Sequence, residues 1–346
     1  MQREQKRYRG EGNMRVESSA TTQAWADKHG FGPVTAWDPK WLSSPARSGG
    51  PAELRGLYLV QFSTGAVYIG ISTVDCASRL RTHGQRWEDI AAVRLMPLDG
   101  TSTELRRRER GLVHAAEKNG IVVRNREHAL RFEGVSSLDR IVDVEQQADW
   151  VEDPAGMNAA DDGEPVQLPA SQIEAYADRY ARLMKRPDHH RLTDALGTYL
   201  RHTMPFPART EASFWSVSCY PTTDKTRIMC VTVNWMETFV LLDRGDDIEA
   251  WIFVDRNELP SNPIARRWFL RRRGIRRGYR RHPTGGVHQM HLRVRGHDTL
   301  ANMLADTALT RAAASFNLDL MRKGTCSQTR SHCAQLADAA LSGSQA

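Results

Sequence analysis

The chain has 346 residues, which is enough for two domains with tails. Hydrophobic residues make up 40% of it, which excludes a wholly disordered protein. The formal net charge of +7 suits a polyanionic partner, and arginine, the better bidentate phosphate ligand, heavily outnumbers lysine. A GC-rich genome would produce the same arginine excess, so this composition alone does not define a partner.

The cysteines and the apolar runs bear on the compartment. The cysteines are scattered without a CxxC pair, which predicts free thiols in a reducing cytoplasm and argues against disulfides or a zinc site. Residues 1–20 lack the apolar run of a signal peptide, and no stretch of about 18 apolar residues occurs. We therefore expect a cytoplasmic protein that does not cross a membrane.

Residues 1–53 have little periodic pattern and are rich in Gly, Ser, Arg and Pro. Trp25, Trp37 and Trp41 are out of place in a fully disordered tail. We predict a partly ordered N-terminal extension that packs onto a domain through these three tryptophans.

Residues 54–130 are predicted to form the first compact domain, in the order strand, strand, helix, strand, helix. Two apolar runs, 56–62 and 66–71, flank a Ser-Thr-Gly turn signal and predict a β-hairpin. Tyr58 and Tyr68 lie on its two strands. In the next helix, Arg79 and His83 are four residues apart and therefore share one face.

A second helix of this domain carries a carboxylate. Glu109 directly precedes an apolar stripe formed by Leu112, Val113 and Ala116, which is expected to face inward. Asn125 follows sixteen residues after Glu109. The hydrolysis of a phosphodiester requires a base that acts on water, a cation that offsets the charge on the phosphoryl oxygens and a group that helps the leaving oxygen depart.

The segment 54–128 resembles the GIY-YIG nuclease family through its two triplets, Gly56-Leu57-Tyr58 and Tyr68-Ile69-Gly70. Leu57 replaces the family's isoleucine, a volume-conserving change. The resemblance covers under a quarter of the chain and implies a three-stranded antiparallel sheet flanked by helices. It also implies six site residues that match in type and order: Tyr58, Tyr68, Arg79, His83, Glu109 and Asn125.

The resemblance further implies a division of roles. Tyr58 would help to activate water, with Tyr68 or His83 nearby, and Arg79 would stabilise the phosphoryl charge. Glu109 would ligate Mg²⁺ or Mn²⁺, hard cations that suit a carboxylate and waters. An asparagine beyond the helix, here Asn125, would support the site.

Each of these residues also has an ordinary interpretation. A strand tyrosine usually packs in a half-buried position, and Arg79 or His83 alone would be typical of a solvated helix face. Glu109 lies among Arg106–Arg108 and Arg110 and could balance their charge, while Glu104 is a rival metal ligand. We favour Glu109 because it directly precedes the apolar stripe, whereas Glu104 lies near the turn at 99–103.

Residues 131–169 are predicted to be an acidic linker. The stretch 141–165 holds eight carboxylates and no Lys or Arg, together with Pro and Gly residues. Such a composition buries little surface.

Residues 170–346 are predicted to form a larger α+β domain that we assign to no family. Its pattern gives helices at 171–184, 191–203 and 300–323, and strands at 214–220, 227–243, 248–255 and 288–294, with a break in the second strand near Asn234.

A basic segment at 264–281 stands out in this domain. Nine guanidinium groups this close together repel one another unless a polyanion or carboxylates neutralise them. A solvated, disordered loop is the alternative. His288, His291 and His297 lack cysteine partners and fall around a strand, so we do not predict a metal site there. The predicted nucleic-acid ligands are Arg81, Arg266, Arg267, Arg271, Arg272, Arg273, Arg276, Arg277, Arg280 and Arg281.

These observations predict a divalent-metal-dependent DNA endonuclease whose second domain supplies DNA affinity or target choice. The alternative is a catalytically silent DNA-binding or regulatory protein that retains the nuclease fold. A third possibility is that the second domain senses a protein or a small ligand. The sequence leaves the oligomeric state open.

Overall fold

The computed structural model describes residues 20–38, 54–129, 131, 134–222 and 224–343. The chain divides into two compact units, Met1–Gly134 and Val135–Ala346. Each unit combines helices with one antiparallel sheet, of four strands in the first and six in the second. The α+β prediction is therefore confirmed.

The first unit follows the predicted order of strand, strand, helix, strand, helix after an N-terminal helix. Its elements are α1 (20–28), β1 (Thr35–Ala36), β2 (Gly56–Phe62), β3 (Val67–Ser72), α2 (Cys76–Arg86), β4 (Ile90–Pro97) and α3 (Ser102–Lys118). The sheet order is β1-β4-β2-β3. The expected three strands gain a fourth because Thr35 and Ala36 pair with β4. Two residues are too few to show a strand period in the sequence.

Two tryptophans of the N-terminal segment pack against this unit, as predicted. Trp25 is buried in the same hydrophobic cluster as Leu57 of β2 and Leu112 of α3. Trp37 packs against a second cluster around Tyr58. Trp41 lies outside the described residues.

β2 lies between β4 and β3 in the sheet and is buried along its whole length. Its first residue must be glycine for two reasons. Gly56 has φ +130°, a conformation that residues with a Cβ rarely adopt, and a Cβ there would lie 2.3 Å from the Met96 carbonyl oxygen. Gly56 thus lets β2 enter the sheet directly against β4.

The second unit contains most of the helices. Its helices are α4 (Val144–Glu152), α5 (Pro154–Ala159), α6 (Ala170–Glu174), α7 (Ala177–Met184), α8 (His189–Thr203), α9 (Pro207–Thr210), α10 (Pro263–Arg271), α11 (His297–Ala305), α12 (Thr307–Arg322) and α13 (Ala334–Ser342). Its strands are β5 (Trp215–Cys219), β6 (Arg227–Val233), β7 (Met236–Asp243), β8 (Ile248–Asp255), β9 (Arg276–Arg277) and β10 (Gln289–Arg295), in the sheet order β5-β6-β7-β8-β10-β9.

The predicted acidic linker is wrong over 144–159, which forms α4 and α5. Trp150 is fully buried, and its indole N–H donates to the Asn158 side chain at 2.9 Å. Asn158 in turn donates to the backbone carbonyl oxygens of Arg201 and Met204 at the end of α8. The acidic composition concealed this packing because some carboxylates serve as helix caps, among them Asp143 and Asp153.

Two long predicted helices of the second unit are interrupted. The helix expected at 300–323 breaks at Asp306, which ends α11 and whose side chain accepts from the first backbone N–H groups of α12. The helix expected at 171–184 breaks between α6 and α7. The predicted break near Asn234 is confirmed, since Asn234 takes φ 54° in the turn between β6 and β7.

The five cysteines are all buried and free, which confirms the free-thiol prediction: Cys76, Cys219, Cys230, Cys326 and Cys333. No helix in the described part of the chain has both the length and the apolar character needed to span a bilayer.

Candidate active site

A hydrogen bond joins two of the predicted site residues. Tyr58 Oη lies 2.9 Å from His83 Nε2, which links the central strand β2 to helix α2. The Tyr58 side chain is buried, at 2% exposure. Its cross-strand partner on β3 is Gly70, and a Cβ at that position would lie 2.4 Å from the Tyr58 hydroxyl. The glycine of the second triplet therefore makes room for the tyrosine of the first.

Tyr68 and Trp87 complete an aromatic cluster around His83. The ring centroids of Tyr68 and His83 are 4.8 Å apart, and His83 stacks on Trp87 at 4.7 Å with an interplanar angle of 10°. The Tyr58 and Tyr68 centroids are 6.4 Å apart, within the usual range of aromatic pairs. Of the two neighbours proposed for the Tyr58 hydroxyl, His83 is the one that forms the hydrogen bond.

Burial sets the protonation of this cluster. It raises the pKa of Tyr58 far above that of an ordinary phenol, and Tyr68 adds to the effect. Burial, with help from the negative charge of Glu109, raises the pKa of Tyr68 to about 12. Burial and the cations Arg86 and Arg79 lower the pKa of His83 to about 4. At neutral pH both phenols keep their protons and the imidazole is uncharged.

Arg79 is exposed on α2, one turn before His83. Its positive charge lowers the pKa of both Tyr58 and Tyr68, against the dominant effect of burial. Arg79 is therefore close enough to act electrostatically on both tyrosines while its exposed guanidinium stays accessible to a ligand.

Glu109 lies on α3 with its side chain 12% exposed. Its Oε2 is 3.7 Å from His128 Nε2, and its charge raises the pKa of both tyrosines. Within the described ranges it forms no ion pair with the arginines that flank it in sequence. Glu104, the alternative candidate for the metal ligand, accepts hydrogen bonds from the Thr101 N–H and hydroxyl in a capping box at the start of α3.

His128 is a site residue that the sequence reasoning missed. It is 7% exposed, and neither of its ring nitrogens has a hydrogen-bond partner among the residues that the structure describes. The only signal in the sequence is its place three residues after Asn125. No group of three or more His, Cys, Asp or Glu that could hold a metal occurs in the described ranges. Glu109 and the neighbouring His128 offer one carboxylate and one imidazole, a donor set that suits a weakly held divalent cation that keeps most of its waters.

Asn125 supports the site from behind and does not face it. Its Oδ1 accepts from the Ile69 N–H at 3.0 Å, and its Nδ2 donates to the Ile69 carbonyl at 2.6 Å. The side chain is buried, at 4% exposure. Asn125 thereby fixes the backbone of β3 immediately beside Tyr68.

The histidine at the centre of the site should make stability depend on pH. Because the pKa of His83 is lower in the folded chain than in the unfolded chain, folding favours the neutral ring. This contribution is complete above about pH 6.5 and is lost as the pH falls towards about 4. We expect His83→Gln to reduce the loss of unfolding free energy between pH 7 and pH 5 by about 1 kcal/mol, allowing for the partial exposure of the ring.

Urea unfolding of the full chain at both pH values, followed in the transition of the first unit, measures this effect. His190→Gln, at an exposed position on α8, is the matched control. Equal pH dependence in the wild type and in His83→Gln would contradict the prediction.

The arginines predicted to bind nucleic acid lie in two places. Arg81 is exposed on α2, and the other nine lie along the second unit between 266 and 281. That segment is not a disordered loop, because it contains α10 and β9. Arg273 pairs with Asp306 at 2.6 Å, and Arg266 donates to two backbone carbonyl oxygens. The remaining seven form no ion pair within the described ranges: Arg267, Arg271, Arg272, Arg276, Arg277, Arg280 and Arg281.

Comparison of the chain with protein-family models, with curated proteins and with solved structures finds no match.

Proposed function

We propose that the first unit is a GIY-YIG-type nuclease module that hydrolyses DNA phosphodiester bonds with a divalent metal. The observation that carries the proposal is the hydrogen bond between Tyr58 and His83, in a cluster on which Arg79 and Glu109 both act electrostatically. A phenol, a neutral imidazole, a guanidinium and a carboxylate together provide the groups that the reaction requires.

The Tyr58–His83 pair can relay a proton. A water hydrogen-bonded to Tyr58 Oη would give its proton to that oxygen as the phenol proton moves to His83 Nε2. His83 is uncharged at neutral pH and can accept a proton at Nε2, and its lowered pKa of about 4 makes it a weak base that passes the proton on readily. Tyr58 need not become a phenolate, which its raised pKa would oppose.

Arg79 offsets the charge that develops on the phosphoryl oxygens, because its guanidinium is exposed beside the two tyrosines. Mg²⁺ or Mn²⁺ would be held by Glu109 with His128 beside it, and when bound would supply further stabilisation of that charge. Asn125 positions the strand that carries Tyr68.

The second unit would supply DNA affinity through its unpaired arginines. Each phosphate that they neutralise releases counterions, so binding should weaken steeply as salt rises. Arg81 would add a contact from the nuclease module itself. Because the individual arginines read phosphate charge, this proposal defines a partner class and no target sequence.

Nicking of supercoiled plasmid by the full chain tests the proposal. We expect cleavage with Mg²⁺ or Mn²⁺, none with a chelator, and a loss of about 10²–10³-fold in rate for Arg79→Met. Arg55→Met removes an exposed arginine of the same unit outside the site and should cut like the wild type. The nuclease proposal fails if the wild type cuts no faster than Arg79→Met.

The second candidate is a DNA-binding protein without turnover, which the arginine-rich segment favours on its own. It predicts salt-sensitive DNA binding that needs no metal and persists in Arg79→Met, with no cleavage by any variant. Binding and nicking measured on the same preparations separate the two candidates.

A further inference from the structure

Helices α8 and α12 pack on one face of the six-stranded sheet of the second unit. Phe239 of β7 stacks on Tyr199 of α8 and pairs across strands with Ile252 of β8, so Ile252 faces the helices. Side chains alternate along a strand, which places Trp251 and Phe253 on the opposite face. These two rings form a buried aromatic floor, which Arg280 covers at Trp251 and on which His291 stacks at Phe253 with ring centroids 4.9 Å apart.

A cavity of about 640 Å³ lies over this floor, within the size range of small-ligand sites. Tyr176 and Arg179 of the α7 region, the turn at 328–331 and the segment 280–282 wall it. Trp235, in the turn between β6 and β7, also lines it and is 66% exposed. An exposed tryptophan at the rim makes the cavity accessible from solvent and offers a ring to a planar ligand.

The cavity is positively charged. Arg179, Arg280 and Arg281 line it, and none of them pairs with a carboxylate within the described ranges. Arg280 lies over the Trp251 ring at 3.9 Å from its centroid, and Arg179 donates to the Tyr220 carbonyl. Glu237 is the one acid among the lining residues, and Arg227 neutralises it in an ion pair.

The remaining wall can form hydrogen bonds. Hydroxyl and amide side chains of Ser218, Thr222, Thr232 and Gln328 line the cavity. His282 is uncharged at neutral pH because burial and Lys323 lower its pKa, and its Nδ1 accepts from the Thr284 N–H at 3.2 Å. Its ring proton is therefore on Nε2, which leaves a donor.

We propose that this cavity binds one nucleotide unit, with the planar base stacked on the exposed ring of Trp235 and the phosphate on Arg179, Arg280 and Arg281. Base stacking on aromatic rings combined with guanidinium contacts is how proteins hold unpaired nucleotides. The unit has two possible sources, a free nucleotide or an unpaired base of a nucleic-acid strand. The site belongs to the second unit alone and does not depend on nuclease activity.

Isothermal titration of the full chain without added metal tests the proposal with four probes: dAMP, deoxyadenosine, inorganic phosphate and phosphotyrosine. We expect dAMP to bind more tightly than each of the other three. Deoxyadenosine lacks the phosphate, inorganic phosphate lacks the base, and phosphotyrosine carries a smaller ring in place of the base. Equal binding of phosphotyrosine and dAMP, or no dAMP binding together with no oligonucleotide binding in the arm below, would overturn the proposal.

Two variants locate the site, and each has a matched control. Trp235→Ala and Arg281→Gln should each weaken dAMP binding about tenfold. Trp268→Ala removes a comparably exposed tryptophan of α10, and Arg191→Gln neutralises an exposed arginine of α8; neither lines the cavity, and both should bind dAMP like the wild type. Binding that is insensitive to both Trp235→Ala and Arg281→Gln would overturn the proposal.

An oligodeoxyadenylate with blocked ends distinguishes the two sources. If the cavity takes a base from a strand, the oligomer binds more tightly than dAMP and loses affinity in Trp235→Ala. If it takes a free nucleotide, dAMP competes with the oligomer only weakly and Trp235→Ala affects dAMP alone. Either result supports a nucleotide site, whereas an oligomer that binds without any effect of Trp235→Ala, together with no dAMP binding, contradicts it.

Discussion

Replacing Glu109 with glutamine should lower metal-dependent DNA cleavage by about 10²–10³-fold while the fold is retained. The side chain is only 12% exposed, and glutamine preserves its shape. The substitution removes the negative charge that faces His128 and acts on Tyr58 and Tyr68. Without that charge a divalent cation loses its only carboxylate of the proposed site.

Glu104→Gln is the matched control for this prediction, because it makes the same chemical change on the same helix. Glu104 is the third residue of a capping box, a position that glutamine also fills. Plasmid nicking measures cleavage, and thermal unfolding of each variant checks the fold. Wild-type nicking by Glu109→Gln would show that this carboxylate does not hold the metal.

The two variants also distinguish a nuclease from a protein that binds DNA without cleaving it. If the chain binds DNA without turnover, the wild type and both variants fail to nick, and DNA affinity is the same in all three. If the chain is a nuclease, Glu104→Gln cuts and Glu109→Gln does not. Excess Mn²⁺ should recover part of the activity of Glu109→Gln, because Mn²⁺ accepts amide and imidazole ligands more readily than Mg²⁺ does.

The local pattern of the first unit could be predicted because each element there has its own signal. Two apolar runs and a turn predicted β2 and β3, and the apolar stripe of Leu112, Val113 and Ala116 predicted the buried face of α3. The long-range geometry could not be predicted in the same way. The hydrogen bond of Tyr58 Oη to His83, and not to Tyr68, depends on how α2 packs on β2.

Features that depend on contacts distant in sequence were missed. His128 has no periodic pattern around it, and only the position of α3 brings it to Glu109. Acidic residues suggested a linker at 144–159, yet Gln147 and Trp150 of α4 are buried. The cavity in the second unit could not be predicted from the sequence, because the residues that line it are spread over more than 150 positions.

The second large effect is expected at Gly70, where alanine should lower the free energy of unfolding by about 1–3 kcal/mol. A Cβ at Gly70 would lie 2.3 Å from Tyr58 Cζ and 2.4 Å from its hydroxyl. Tyr58 is buried on the central strand, so its ring cannot move aside without disturbing its neighbours. The displaced ring would also lose its hydrogen bond to His83 and, with it, the proposed proton relay.

Gly111→Ala supplies the control, because it adds the same methyl group in the same unit. Gly111 is on α3 with no atom within 4 Å of the added Cβ, and alanine favours a helix over glycine by about 0.5–1 kcal/mol. Gly111→Ala should therefore be neutral or stabilising. Urea unfolding of the full chain compares the two variants, and equal stability of Gly70→Ala and the wild type would contradict the predicted clash.

A double variant assigns the effect of Gly70→Ala to Tyr58. Combining Gly70→Ala with Tyr58→Leu removes the ring that the methyl group would meet, so the two changes should cost less together than the sum of their separate effects. Cleavage should stay absent in the double variant, because the hydroxyl that bonds to His83 is gone. If the double variant recovers stability but not cleavage, Tyr58 acts in the chemistry and Gly70 leaves space for its ring. If the losses of unfolding free energy of the two single variants simply add, Gly70 contacts some other neighbour.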